Sequence, residues 1–209
     1  MIERSQRSRL LIAALLPKRG WYLSGEEPGG ICSQLASLIQ QEKWSDVDIE
    51  VMEHLPDFNL DGLRAWLNEE GVPDYSVNRL MLCLDHHSSG RYEEATFLGV
   101  PLLDELAFHL YGGKSFTTKR GKTRSQSKPE LAIATSNGPE LEGFCANFVQ
   151  TFGSLQEDTD PTRLGDEDYW NRHAIVHGLM QRAMGLKDSA KCLMAFKFLL
   201  CARKEDVRT

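Results

Sequence analysis

Apolar side chains recur along most of this chain at the three- and four-residue spacing of a helix, and almost nowhere at the alternate spacing of a strand. Asn59 to Glu70 carries Leu60, Leu63, Trp66 and Leu67 on one helical face, with Asn59 able to cap its start and Gly71 and Pro73 able to end it. Ser76 can cap a second helix through His87 that buries Leu80 and Leu84, and Ser88, Ser89 and Gly90 form the turn after it. A third runs from Tyr92 to Tyr111, where Pro101 is expected to kink it or split it in two. Leu141, Phe144, Phe148 and Phe152 predict a helix over Pro139 to Phe152. After an acidic connector, Glu157 to Asp168, a final pair is predicted over 167–184 and 188–203 with Gly185 between, and Ile175, Val176, Leu179, Met180 and Ala183 form the buried stripe of the first. Only Asp48 to Met52 and Ala132 to Thr135 hint at strands, and no internal repeat is present. The first 56 residues have the least regular pattern. The class these spacings predict is all-α.

A chain of 209 residues can bury a real core without covalent staples. Its five cysteines, at 32, 83, 145, 192 and 201, include no C-x2-C pair, so they suggest neither a disulfide framework nor a zinc knot and read as core thiols in a reducing cytoplasm. The apolar run Leu10 to Leu16 is far below the roughly 20 residues of a membrane span. Although Arg4, Arg7 and Arg9 precede it, no small-residue cleavage site follows before Pro17, Lys18 and Arg19, and the expectation is an intracellular protein with no membrane partner.

A net charge of −6 ordinarily argues against nucleic acid, but the charge is unevenly spread. Residues 114–128 hold Lys114, Lys119, Arg120, Lys122, Arg124 and Lys128 and no acid, which leaves −12 for the remainder of the chain. Almost devoid of apolar residues, 112–130 reads as a mobile loop that either solubilises the protein or contacts RNA or an acidic partner. Gly112, Gly113, Lys114 and Ser115 look like the end of a phosphate-binding loop, but Phe108 stands where its first glycine belongs and a helix precedes it, so that reading is rejected.

The stretch NRHAIVHG, residues 171–178, concentrates Asn171, Arg172, His173 and His177 around an apolar Ala174, Ile175, Val176 run expected to pack the core. His173 and His177 are four apart and share a helical face. Arg172 and His177 diverge by about 140° on a straight helix. Either Arg172 lies in a looser first turn, or a second copy of the helix completes the site across a two-fold axis. His173 either orients His177 or is simply solvated. The His173/His177 pair could hold zinc, but no third ligand stands at a telling spacing and no metal or other cofactor is expected.

Arg172, His173, three residues and His177, with Asn171 before and Gly178 after, resemble the R-x4-6-H motif of the HEPN superfamily, and the apolar last helix KDSAKCLMAFKFLL fits the same pattern. Residues 86–112 are similar to the first helical hairpin of a prokaryotic HEPN-like group associated with phage defence. The resemblance covers 76–204 and leaves 1–75 as an N-terminal extension, mostly helical and of unclear role. A second match, Arg79 to His86, lies on what would be the bundle's first helix, whereas the family carries its motif on the penultimate one. The resemblance implies a dimerising four- or five-helix bundle with two motifs in one cleft, acting as a metal-independent endoribonuclease in phage defence or a toxin-antitoxin system, with RNA as substrate and a cognate antitoxin as a further partner. It places Arg172 on the scissile phosphate, His177 as the proton-transfer group acting on the ribose 2′-hydroxyl, and His173 and Asn171 beside them. The alternative is an inactive HEPN-like module that binds a nucleotide or a protein partner.

Overall fold

The computed structural model describes residues 2–24, 29–110 and 158–206. They form α1 (Ile2–Leu15), a 3-10 turn (Pro17–Arg19), α2 (Gly29–Gln40), α3 (Trp44–Met52), α4 (Leu60–Glu69), α5 (Asp74–Ser88), α6 (Tyr92–Leu110), a second 3-10 turn (Pro161–Arg163), α7 (Arg172–Val176) and α8 (Leu186–Asp206). No strand occurs among the described residues, and the fold is all-α as expected. The helix expected over Pro139 to Phe152, the strand hint at Ala132 to Thr135 and the basic loop 112–130 lie outside the described residues.

At the centre α6 packs against both α5 and α8, and α5 also meets α8. Gly99 permits the close approach. A Cβ there would lie 2.5 Å from Cys192 Sγ on α8 and 2.8 Å from Cys83 Sγ on α5. Of the two outcomes expected at Pro101, the split does not occur, since α6 runs as one helix from Tyr92 to Leu110. Ala95, Gly99 and Val100 before the proline and Leu102, Leu103, Leu106, Ala107 and Leu110 after it are all buried, so packing on both sides outweighs the lost backbone bond.

Local chemistry sets some of the helix ends. Asn59 caps α4, its side chain accepting a hydrogen bond from the Gly62 amide. The expectation that Ser76 caps α5 is corrected. That helix begins two residues earlier, after Pro73, and Ser76 instead donates to Glu105 of α6. The strand hint at Asp48 to Met52 is also corrected, because those residues belong to α3. Val47, Asp48 and Val51 are its buried positions, a helical set that a short run of acidic and β-branched residues disguised.

The first part of the chain shares the central core. Trp21 and Tyr22 are fully buried, and the Tyr22 ring lies 6.0 Å from that of Phe198 on α8. Trp21 Nε1 donates to Asp48 at 2.7 Å, and Lys187 Nζ on α8 reaches both Asp48 at 3.0 Å and Asp168 at 2.6 Å. Arg19 also donates to Asp168. The Lys187 bond holds the Asp168 carboxyl below the usual carboxylate range. Asp168 thus ties the segment leading into α7 to the start of α8.

The largest correction falls on the helix expected over 167–184. Only Arg172–Val176 is helical. Gly178 adopts φ +63, and the amides of Gly178 and Leu179 turn back onto the carbonyls of Ile175 (3.0 Å) and Ala174 (2.8 Å), a Schellman closure that stops the helix after one turn. Arg182 then fastens the non-helical remainder. It grips Asp188 through two hydrogen bonds of 2.7 Å and donates to the carbonyls of Asp166 and Tyr169 on the far side of α7. The expected stripe breaks accordingly, for Ile175 is buried while Val176 and Leu179 are 43% and 42% exposed.

Candidate functional site

Asn171 begins the site as the N-cap of α7. Its backbone is extended, at φ −134 and ψ 122, and its buried side chain accepts the Ala174 amide at 2.9 Å. This cap and the Gly178 closure fix a single helical turn rigidly at both ends, so the directions of the side chains between them are well defined.

Those directions separate the motif. Arg172 turns inward, is only 8% exposed and forms an ion pair with Asp104 of α6. His173 and His177 point outward and are exposed, with ring centroids 4.4 Å apart and the ring planes tilted by 54°. His177 is the C-cap residue, just beyond the helix. The structure therefore brings the two imidazoles together and carries the guanidinium away from that surface, onto a carboxylate. Ala174 and Ile175 pack the core as expected; Val176 does not.

A neighbour not anticipated from the sequence completes the group. Thr159, just before the Pro161–Arg163 turn, places its hydroxyl 2.7 Å from His173 Nδ1 and 3.5 Å from Asn171 Oδ1. The Tyr169 hydroxyl accepts the Asp160 amide at 2.8 Å and holds that strand of chain in place. Neither Thr159 nor Asp104 carried a sequence signal tying it to 171–178, since both contacts depend on how distant segments cross. Lys114, Lys119, Arg120, Lys122, Arg124 and Lys128 lie outside the described residues.

The second R-x6-H match does not form a pair. Arg79 bonds to Glu105 at 2.8 Å, and Asp85 is engaged by Arg91. The next residue after His86, His87, meets Ser189 Oγ at 2.7 Å and sets its ring edge-on to Tyr92, where burial lowers its pKa. These groups join α5 to its neighbours. Among the described residues no group of three or more His, Cys, Asp and Glu side chains is arranged to hold a metal ion, and no helix is long and apolar enough to cross a membrane. Comparison with known protein families, with characterised proteins and with solved structures finds no match to this chain.

Proposed function

We propose that this chain is a metal-independent endoribonuclease of HEPN type in which His173 and His177 together carry the chemistry. The observation behind this reading is the exposed imidazole pair, 4.4 Å between centroids, on a turn capped at both ends. Two imidazoles at one phosphodiester supply both proton transfers of RNA cleavage. One takes the proton of the ribose 2′-hydroxyl as its oxygen attacks phosphorus and the new P–O2′ bond forms. The other donates a proton to the 5′-oxygen as the P–O5′ bond breaks, leaving a 2′,3′-cyclic phosphate and a 5′-hydroxyl. Neither step calls on a metal ion.

Arg172 acts differently from the expectation drawn from its motif. Buried against Asp104, it anchors the turn that presents the histidines rather than gripping phosphate. Exposed Val176 and Leu179 flank His177 and suit a two-fold contact that would set two such turns side by side, and the acid-free segment Lys114 to Lys128 suits the RNA backbone.

A second reading has its own support. Inward pairing of Arg172 is what a HEPN-like module that binds a nucleotide or protein without cleaving would tolerate. One experiment divides them. Purified full-length protein, shown by light scattering to be a dimer, should cleave a panel of tRNA, mRNA and structured RNA near neutral pH in the presence of EDTA, and should leave the DNA equivalents intact. His177→Ala and His173→Ala should each lose at least about 10²-fold in rate with unchanged melting. Absence of cleavage, or full activity in both variants, would overturn the nuclease reading in favour of the binding module.

A further inference from the structure

Two exposed imidazoles held four residues apart also form a chelate. His173 is the second residue of α7 and His177 its C-cap, and Asn171 and Gly178 fix the turn between them, so the spacing of the rings is set before anything binds. A transition-metal ion about 2.0–2.1 Å from one nitrogen of each ring stands roughly 3.2 Å from each ring centre. Ring centres 4.4 Å apart then subtend roughly 90° at the ion, the angle between neighbouring ligands of an octahedral site and within reach of a tetrahedral one. Both rings are exposed, and the torsion that turns an imidazole is broad, so aiming a nitrogen costs little. Thr159 supplies an outer partner. Its hydroxyl lies 2.7 Å from His173 Nδ1, which leaves Nε2 for an ion, and it can accept the Nδ1 hydrogen of a metal-bound ring whichever way the contact is protonated beforehand.

The other histidines offer no such pair. His54 meets the Glu50 carbonyl, His87 meets Ser189, and His109 stands edge-on to Phe108. His86 and His87 are adjacent and so face different ways on α5. Among the described residues no third His, Cys, Asp or Glu joins His173 and His177, so the pair fills two coordination positions and leaves the others to water. Such a site is open and exchangeable, unlike the closed four-ligand sets of structural zinc. Resting on the reading of His173 and His177 as a proton-transfer pair, we propose that they chelate a divalent transition-metal ion of the zinc or copper class and that its binding switches the nuclease off. The lone pair that a ring gives to the ion is the one it needs to carry a proton, so a single ion removes both proton-transfer groups at once. Magnesium and calcium, which take oxygen ligands, should leave the pair untouched.

The test uses the full chain, 15N-labelled at histidine, stripped of metal with a chelator and titrated with Zn²⁺ alone beside His173→Gln and His177→Gln. Calorimetry should show a saturable site whose affinity falls in each variant by at least the roughly tenfold that even an outer partner is worth. In the parent, long-range 15N–1H spectra should show the His173 and His177 rings shifting with Zn²⁺ while His54 and His87 stay in place, a reading that needs no variant to fold. RNA cleavage by the parent should fall at least about tenfold at saturating Zn²⁺, return when EDTA is added and ignore Mg²⁺. Equal Zn²⁺ affinity in the parent and either variant, or shifts confined to other histidines, overturns the site. Full cleavage with both rings shifted overturns the switch. Ring shifts and lost affinity in a protein that cuts no RNA when free of metal uphold the site and remove the nuclease reading on which the switch rests.

Discussion

Lys191 offers the sharpest quantitative test of the core. It stands at 1% exposure among the largest fully buried side chains, with its ammonium 5.5 Å from the centre of the Trp21 ring. Burial draws its pKa from the ordinary 10.5 to about 8, against the pull of Asp48, Asp188 and Asp168 and aided by Lys187. The carboxylates do not offset the burial because closer cations hold them: Lys187 on Asp48 and Asp168, and Arg182 on Asp188. A drop of this size corresponds to a cost of about 3 kcal/mol for keeping the proton in the folded state. The sign follows from proton binding. Below about pH 8 both states are protonated and the folded chain bears the whole cost; between about 8 and 10.5 the unfolded chain binds more proton, so stability rises with pH. Lys191→Met keeps the unbranched stem and removes the ammonium, and it also forfeits a cation–π contact worth roughly 0.5–2 kcal/mol. The expected gain near pH 7 is about 1–3 kcal/mol, which for a chain of this size raises the melting temperature by roughly 2–12 °C. Thermal and urea unfolding of parent and variant at pH 7 and pH 10 read both quantities, and taking the difference cancels the other titrations. The variant should be the more stable at pH 7, with the gap narrowing by pH 10. A variant less stable at both pH values would show that Trp21 and the carboxylates more than compensate the buried charge, and a gap independent of pH would refute the linkage reasoning.

Two further outcomes follow from the packing of α6. Asp104→Ala removes the partner of buried Arg172 and should cost about 3–5 kcal/mol in urea unfolding, whereas replacing both residues by apolar ones, Arg172→Met with Asp104→Leu, should restore most of the loss. Gly99→Ala drives a methyl group into Cys83 and Cys192 and should destabilise by about 1–3 kcal/mol, with relief when Cys192→Ala is added.

How far the fold could be read from the residues depended on how locally each feature is encoded. Asn59 and its helix were legible because cap, apolar face and terminator all fall within 15 residues, and the turn through Ser89 and Gly90 was legible for the same reason, although the helix before it runs one residue further than expected, through Ser88. The first 56 residues were not. Trp21 and Tyr22 lie outside any helix, and their burial depends on Asp48 and on Phe198 of the last helix. A split at Pro101 did not follow, because the local cost of a proline is readable while the packing that overrides it is not.

At the candidate site the motif was legible and its geometry was not. The expected long helix set Arg172 and His177 about 140° apart, which left two ways to reconcile them: a looser first turn, or a second copy across a two-fold axis. Arg172 does occupy the first turn, yet it runs to Asp104 while the histidines face outward. The divergence therefore persists in the folded chain, with the guanidinium and the two imidazoles on different sides of the turn. A signal for the short helix was present, since Asn171 and Gly178 bracket the motif as N-cap and closing glycine. The apolar residues beyond Gly178 hid it by continuing the helical period, and the exposure of Leu179 shows that this period carried no information about burial there. Arg172 turns into the core and His177 out of it, the divergence that the helical turn per residue already imposes, and what the Gly178 closure adds is that the residues beyond it leave the helix altogether.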